Sequence, residues 1–182
     1  MGSTKALLVV DGESLLQRAV TRLRTVADPI IIAGDISIPL PDDVIVVRDA
    51  RAAAGPLGGI VAALDASPHE LCAVLAVDMP DADAVLLRTL ATQWDGDDAV
   101  VPVSDTGLEP LHAIYARAAL PALRASLAAQ RLALHDALAT MRVRRVEAAA
   151  VHARPGFAGN LNTPADLRAW EERRRANASR RR

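Results

Sequence analysis

The chain has 182 residues, a formal net charge of −1 and a composition that is 51% hydrophobic but only 2% aromatic. That length suits one domain with a sizeable core, and the near-neutral charge argues against a nucleic-acid protein with a uniformly basic surface. One cysteine allows no disulfide framework, and no signal peptide or bilayer-length apolar run is present, so a soluble cytoplasmic protein without membrane association is expected.

The apolar mass is Ala, Val, Leu and Ile, which suits strands sandwiched between helices. Gly2, Ser3 and Thr4 precede Lys5 ahead of any regular element. A glycine-containing loop ending in lysine can bring amides and an ammonium to phosphate oxygens, although such N-terminal residues are also commonly solvated. ALLVV reads as a strand-type run, Asp11-Gly12 as a turn, and ESLLQRAVTRLRTV as a helix that Asp28-Pro29 ends. PIIIAGD reads as a buried strand with Gly34 and Asp35 at its carboxyl end. Past the Pro-rich IPLPDD, VIVVRDA gives a third strand ending at Arg48 and Asp49. Helix, strand, loop, strand is an α/β order in which parallel neighbours are the default.

Gly55, Gly58 and Gly59 then run into the helical IVAALDA. Glycines there either let the backbone approach an anion or serve only as the turn that enters the helix. CAVLAVDMP, from Cys72 to Pro80, is an unbroken apolar run of the kind buried on both faces of a parallel sheet. Cys72 reads as a small core residue within it. Asp78 falls at the strand's carboxyl end, where open α/β sheets bind ligands, and suits magnesium carried by substrate phosphates. The competing reading makes Asp78 a cap for the helix in DADAVLLRTLATQW.

DAVVPVSD reads as another strand and EPLHAIYAR as a short strand-like run. PALRASLAAQRLALHDALATM is helical with a division near Gln130, and VRRVEAA is a final strand. Asn160 and Asn162 flank Leu161, so on extended backbone both amides project to one side. Their alternative role is turn and cap chemistry. Thr163 reads as an N-cap with Pro164 at the first helical position. His112, His135 and His152 read as surface or core-edge residues, and the Arg-rich terminus as a solvated tail.

MGSTKALL, GPLGGI, VDMP, EPLHAIY and NLNTPADL, in that order, resemble the molybdenum cofactor guanylyltransferases of the MobA-like nucleotidyltransferase superfamily. The resemblance spans essentially the whole chain. It implies an α/β, Rossmann-like three-layer nucleotidyltransferase fold, with a mostly parallel sheet and helices on both faces. Residues 1–170 would form that domain and residues 171–182 a basic tail. The implied reaction transfers GMP from GTP to molybdopterin, depends on magnesium and releases pyrophosphate.

By the same resemblance, Gly2 and Lys5 match the end of the N-terminal signature loop, with Lys5 steadying the GTP phosphates. Asp49 lies on the nucleotide side, and Gly55 and Gly59 shape the site around the nucleotide. Asp78 binds magnesium and the phosphates, so Lys5 and Asp78 are the implied catalytic pair. Asn160 and Asn162 lie close to the pterin. Gly34 falls where many relatives carry a polar residue near the guanosine, so that contact is either absent or made by backbone. A monomer working beside molybdenum insertion and cofactor-delivery proteins is implied.

The sequence departs from the pattern at its start. Relatives place a first strand, a Leu-Ala-Gly-Gly loop and an arginine ahead of the position of Met1. The expectation is therefore an N-terminally truncated domain, with ALLVV in a peripheral extended segment and the central strand position unfilled. The alternatives are cytidylyl transfer to molybdopterin and a catalytically impaired nucleotide-binding relative.

Overall fold

In the computed structural model, which describes residues 6–35, 40–49 and 54–179, a tight hairpin leads into the first helix. β1 (Val9–Val10) turns through Asp11 and Gly12, both at positive φ, and pairs antiparallel with β2 (Glu13–Ser14). Ser14 caps α1 (Leu15–Leu23): its hydroxyl accepts the Gln17 amide, and the Gln17 side chain accepts the Ser14 amide. β3 (Ile30–Ala33), β4 (Val44–Val47) and α2 (Gly55–Ala66) follow, then β5 (Leu71–Leu75) and α3 (Ala84–Thr92). Next come β6 (Ala99–Ser104), β7 (Gly107–Leu108) and β8 (His112–Ala116). The chain continues through α4 (Leu120–Ala128), α5 (Leu134–Leu138), β9 (Val143–Glu147) and α6 (Pro164–Ser179). The expected division of the long helical stretch falls between α4 and α5, where Gln130 takes φ 56°.

Three layers result from period-two alternation on the central strands. Ala113 and Tyr115 of β8, with Ala99 and Val101 of β6, point toward α2, α4 and α5. Ile114 and Val100 point the other way, onto Leu86, Leu87 and Leu90 of α3 and onto Phe157. Helices thus cover both faces, the α/β architecture expected. β3 pairs with β4, and β6 with β9, in parallel. β8 is inserted antiparallel between β5 and β6, while β7 continues along β6. A short return from β6 through β7 leaves β8 no room for a crossover, so it must run back against its neighbours. Among the described residues no helix is long and apolar enough to cross a membrane.

The β3–β4 pair and the five-stranded sheet do not hydrogen-bond to each other. Between them lies a cleft of about 310 Å³, lined by Ile30 and Ile31 on one side and by Leu71, Cys72, Ala73 and Val74 on the other. Ile30 and Ile31 of β3 thus lie across the cleft from β5. The Arg117 N–H donates to Glu70 O at 2.7 Å and the Ala76 N–H to Leu111 O at 2.9 Å. Alternate residues of β5 therefore bond to β8, and Leu71, Ala73 and Leu75 turn their N–H and C=O toward the cleft. On β3 the Gly34 N–H donates to Val47 O at 2.9 Å, which by the parallel register leaves Ile31 and Ala33 facing the cleft.

ALLVV does not enter this cleft. Val9 and Val10 pair with β2 alone, the peripheral placement expected. The cleft also corrects the reading of CAVLAVDMP as buried on both faces. Every residue of β5 is only half-buried, Cys72 among them, because one edge of the strand opens onto the cleft.

Candidate functional site

β5 ends at Leu75 and the chain carries Asp78 just past its carboxyl end, in the turn that leads to Pro80. The loop from Ala76 to Asp83 is held by its own turn bonds, Met79 N–H to Ala76 O at 3.4 Å and Ala82 N–H to Met79 O at 3.2 Å. Donors from distant segments also reach its carbonyls. The Leu161 N–H donates to Asp78 O at 2.9 Å, and Arg22 Nη1 donates to Met79 O at 3.4 Å. The cap of α3 is Asp83, whose Oδ1 accepts the Val85 and Leu86 amides and whose Oδ2 accepts the Arg154 amide. Capping, the competing reading for Asp78, is thus the task of Asp83.

The Leu161 bond places the Asn160–Asn162 segment against Asp78. Leu161 is buried with Val10, Leu15 and Trp170, while Asn160 and Asn162 are exposed on either side of it, the alternation expected of extended backbone. Thr163 caps α6 as expected: Asp166 N–H donates to its hydroxyl at 3.1 Å, and the Asp166 carboxylate accepts the Asn162 and Thr163 amides. Trp170 anchors the helix from below. Its indole N–H donates to Asp81 at 2.6 Å, and the guanidinium groups of Arg174 and Arg18 lie 4.9 and 5.9 Å from its ring centre. α6 runs on to Ser179, so the start of the basic terminus is helical.

A second group gathers at the ends of β3 and β4. Gly34, at φ 138°, closes β3, and Asp49 follows β4. Gly59, one turn into α2, sits beside both: a Cβ built there would lie 3.3 Å from the Ala33 Cβ and 3.5 Å from Asp49 Oδ1. Gly55, at φ 60°, opens α2 toward free space, and no side chain caps that helix. Gly34, Asp49 and Asp78 each follow the carboxyl end of a strand, β3, β4 and β5 respectively. Gly2 and Lys5 lie outside the described residues.

The fit at Gly59 carries an expected result. Gly59→Val would overpack against Ala33 and push on Asp49, lowering stability by about 1–3 kcal/mol. Urea unfolding should show a lower midpoint, and nucleotide affinity should fall with it.

His112 was invisible as a site residue from sequence. Rather than lying at the surface or core edge, it is fully buried on β8, with its ring 5.1 Å from that of Phe157. Its Nε2 lies 3.0 Å from Asp83 O. A carbonyl only accepts, so Nε2 carries the proton and Nδ1 is the bare nitrogen, which has no hydrogen-bond partner. Burial pushes the imidazole pKa down from 6.5 to about 4, against the smaller opposing pull of the Asp83 carbonyl and carboxylate. His135 and His152 are exposed, as expected.

The folded pKa of His112 is depressed, so the unfolded chain binds more protons between the two values. Stability is therefore unaffected above pH 6.5 and is lost as pH falls from 6.5 to about 4. The loss should approach roughly 3 kcal/mol. Urea unfolding at pH 7 and pH 4.5 should show it, and His112→Leu should flatten the slope relative to the parent chain.

Comparison with known proteins follows this geometry. The profile described as a MobA-like NTP transferase domain matches residues 1–149. A probable molybdenum cofactor guanylyltransferase of Pelotomaculum thermopropionicum is 35% identical over 171 residues, covering 92% of this chain and 83% of that relative. A molybdenum cofactor guanylyltransferase of Desulfosudis oleivorans is 28% identical over 147 residues, covering 80% of this chain and 73% of its own. Among solved structures, the molybdopterin-guanine dinucleotide biosynthesis protein A of Archaeoglobus fulgidus superposes with a TM-score of 0.74 at 23% identity, covering 92% of this chain and 89% of that one. The 2-C-methyl-D-erythritol 4-phosphate cytidylyltransferase of Thermus thermophilus shares the fold with a TM-score of 0.67 at 20% identity, covering 94% of each chain.

Proposed function

This chain belongs to the MobA-like NTP transferase family, and from that premise we propose that it transfers the guanylyl group of GTP to molybdopterin. It is a nucleotidyltransferase, with a role in molybdenum cofactor biosynthesis. The observation that carries the finer reading is the 2.9 Å bond from the Leu161 amide to Asp78 O. It joins the N-L-N-T-P segment, on the pterin side by resemblance, to the loop whose carboxylate would face the nucleotide phosphates.

In this reading a phosphate oxygen of molybdopterin attacks the α-phosphorus of GTP, and the bond to the β-phosphate oxygen breaks to release pyrophosphate. No side-chain nucleophile is needed. The task of the protein is to align two anions in line and offset their repulsion. Among the described residues no group of three or more His, Cys, Asp or Glu could hold a metal. A single carboxylate ligand such as Asp78 would fit a magnesium ion held mainly by substrate phosphates and water. Magnesium, when bound, neutralises phosphate charge and steadies the leaving pyrophosphate. Asp78 fixes it relative to the sheet, and Lys5 adds a second positive charge. The uncapped start of α2, opened by Gly55, offers amides to an anion, and Gly59 makes room for Asp49 beside the nucleotide. Gly34 leaves the base to backbone contacts, and Asn160 and Asn162 face the pterin.

Cytidylyl transfer is the competing reaction. Asp78-Met79-Pro80 and Asn160-Leu161-Asn162 favour guanylyl transfer, since the cytidylyl relatives usually carry Asp-Gln-Pro and Asp-x-Asp. Pyrophosphate release from GTP and from CTP, each with molybdopterin and with or without magnesium, tests this. Magnesium-dependent turnover of GTP over CTP is expected, and a preference for CTP would reverse the assignment.

A further inference from the structure

We infer that His112 is the positioning residue that aims Asp78, its imidazole fixing the far end of the Ala76–Asp83 loop to the same strand that holds the near end. The inference rests on the reading of Asp78 given above.

His112 lies opposite Leu75, the last residue of β5, without a backbone bond to it, its own N–H donating to Glu109 O at 3.1 Å; the neighbouring Leu111 carbonyl accepts the Ala76 amide at 2.9 Å. This fixes where the loop leaves the sheet. The side chain of His112 reaches the far end of the loop, donating from Nε2 to Asp83 O at 3.0 Å. Asp83 is in turn locked by the Val85, Leu86 and Arg154 amides. β8 therefore sets the span of the loop that carries Asp78, through the Leu111 carbonyl at one end and the His112 imidazole at the other.

The chemistry of the site argues for that role over simple packing. A polar ring with no exposed surface and a bare, unpartnered Nδ1 is an expensive way to fill an apolar cluster, where a leucine would leave nothing unsatisfied. What the imidazole provides, and an alkyl group cannot, is a short donor of fixed direction to one backbone carbonyl. Phe157 packs against the imidazole, with ring centres 5.1 Å apart. Residues that orient a metal-binding carboxylate without touching the metal commonly change affinity or turnover by roughly 10–100-fold when removed.

The test compares His112→Leu, which keeps bulk and deletes the donor, with His112→Gln, whose amide can donate in its place. Amide hydrogen exchange is read at Met79 and Ala82 against the β6–β9 ladder, at pH 7 and without ligand. His112→Leu should speed exchange in the loop by about tenfold or more while the ladder is unchanged. In turnover it should raise the magnesium concentration for half-maximal rate and lower kcat, leaving KM for the pterin unchanged. His112→Gln should recover most of both effects. Loop exchange and magnesium dependence at the parent level in a folded His112→Leu would overturn the inference, as would His112→Gln behaving like His112→Leu. If His112→Leu does not fold, His112→Gln is compared with His112→Asn, whose shorter amide cannot reach; equal loop exchange in these two overturns the inference. Asp78→Asn is assayed alongside. If it retains full turnover, the reading of Asp78 has failed; if it loses turnover while His112→Leu does not, only the positioning role has.

Discussion

Asp78→Asn is expected to reduce magnesium-dependent pyrophosphate release by at least about a hundredfold, the size seen when one preorganised charge contact to a transition state is deleted. The substitution keeps shape and removes charge. The backbone of residue 78 would still accept the Leu161 amide, and the α3 cap at Asp83 is untouched. Thermal unfolding should therefore stay near that of the parent chain while turnover collapses. Turnover within a few-fold of the parent would show that the phosphates are neutralised elsewhere, and the assignment of Asp78 would be withdrawn.

The second large effect concerns the cleft between β3 and β5. A chain lengthened ahead of Met1 by an extended apolar strand and a Gly-rich loop is expected to bind magnesium-GTP at least about tenfold more tightly than the 182-residue chain. Leu71, Ala73 and Leu75 on one edge, and Ile31 and Ala33 on the other, turn backbone donors and acceptors into the cleft. Each backbone bond gained there contributes about 1 kcal/mol net, and the apolar walls add burial. The unfolding temperature should rise accordingly. Cys72, the one cysteine of the chain, lines the cleft and reports its filling. Burial already raises its thiol pKa, and maleimide labelling at fixed pH should slow further in the lengthened chain. Equal GTP affinity and equal labelling in both chains would mean that the cleft is no strand position and that the Gly-rich loop is dispensable here.

Local pattern carried much of this molecule. An unbroken apolar run ending in Asp-Met-Pro can hardly be anything but a strand that stops at a rim, and Asp78 lies there. Thr163 and Pro164 announced a helix start because the cap needs an oxygen acceptor and the first helical position tolerates a missing amide, and α6 begins at Pro164 with Thr163 as its acceptor. The break at Gln130 was also legible from spacing, while the peripheral course of Val9 and Val10 came from the family resemblance. Gly34, Asp49 and Gly59 could be named from motif resemblance, but their gathering at one rim needed the strands to be laid side by side.

Tertiary structure alone decided the rest. Residue pattern does not encode strand direction, so the antiparallel insertion of β8 appeared only when the β6–β7 return was seen to leave no crossover. Asp78 alone was weighed as a cap for α3 on paper, and the hydrogen bonds give that task to Asp83. His112 has as its partner a backbone carbonyl 29 residues away, a group every residue possesses, so no side-chain signature could mark the pair. What the sequence by itself determined was where each element begins and which side chains arrive at a strand end. Which backbone group each of those side chains meets depends on contacts between distant segments, and those exist only once the sheet has assembled.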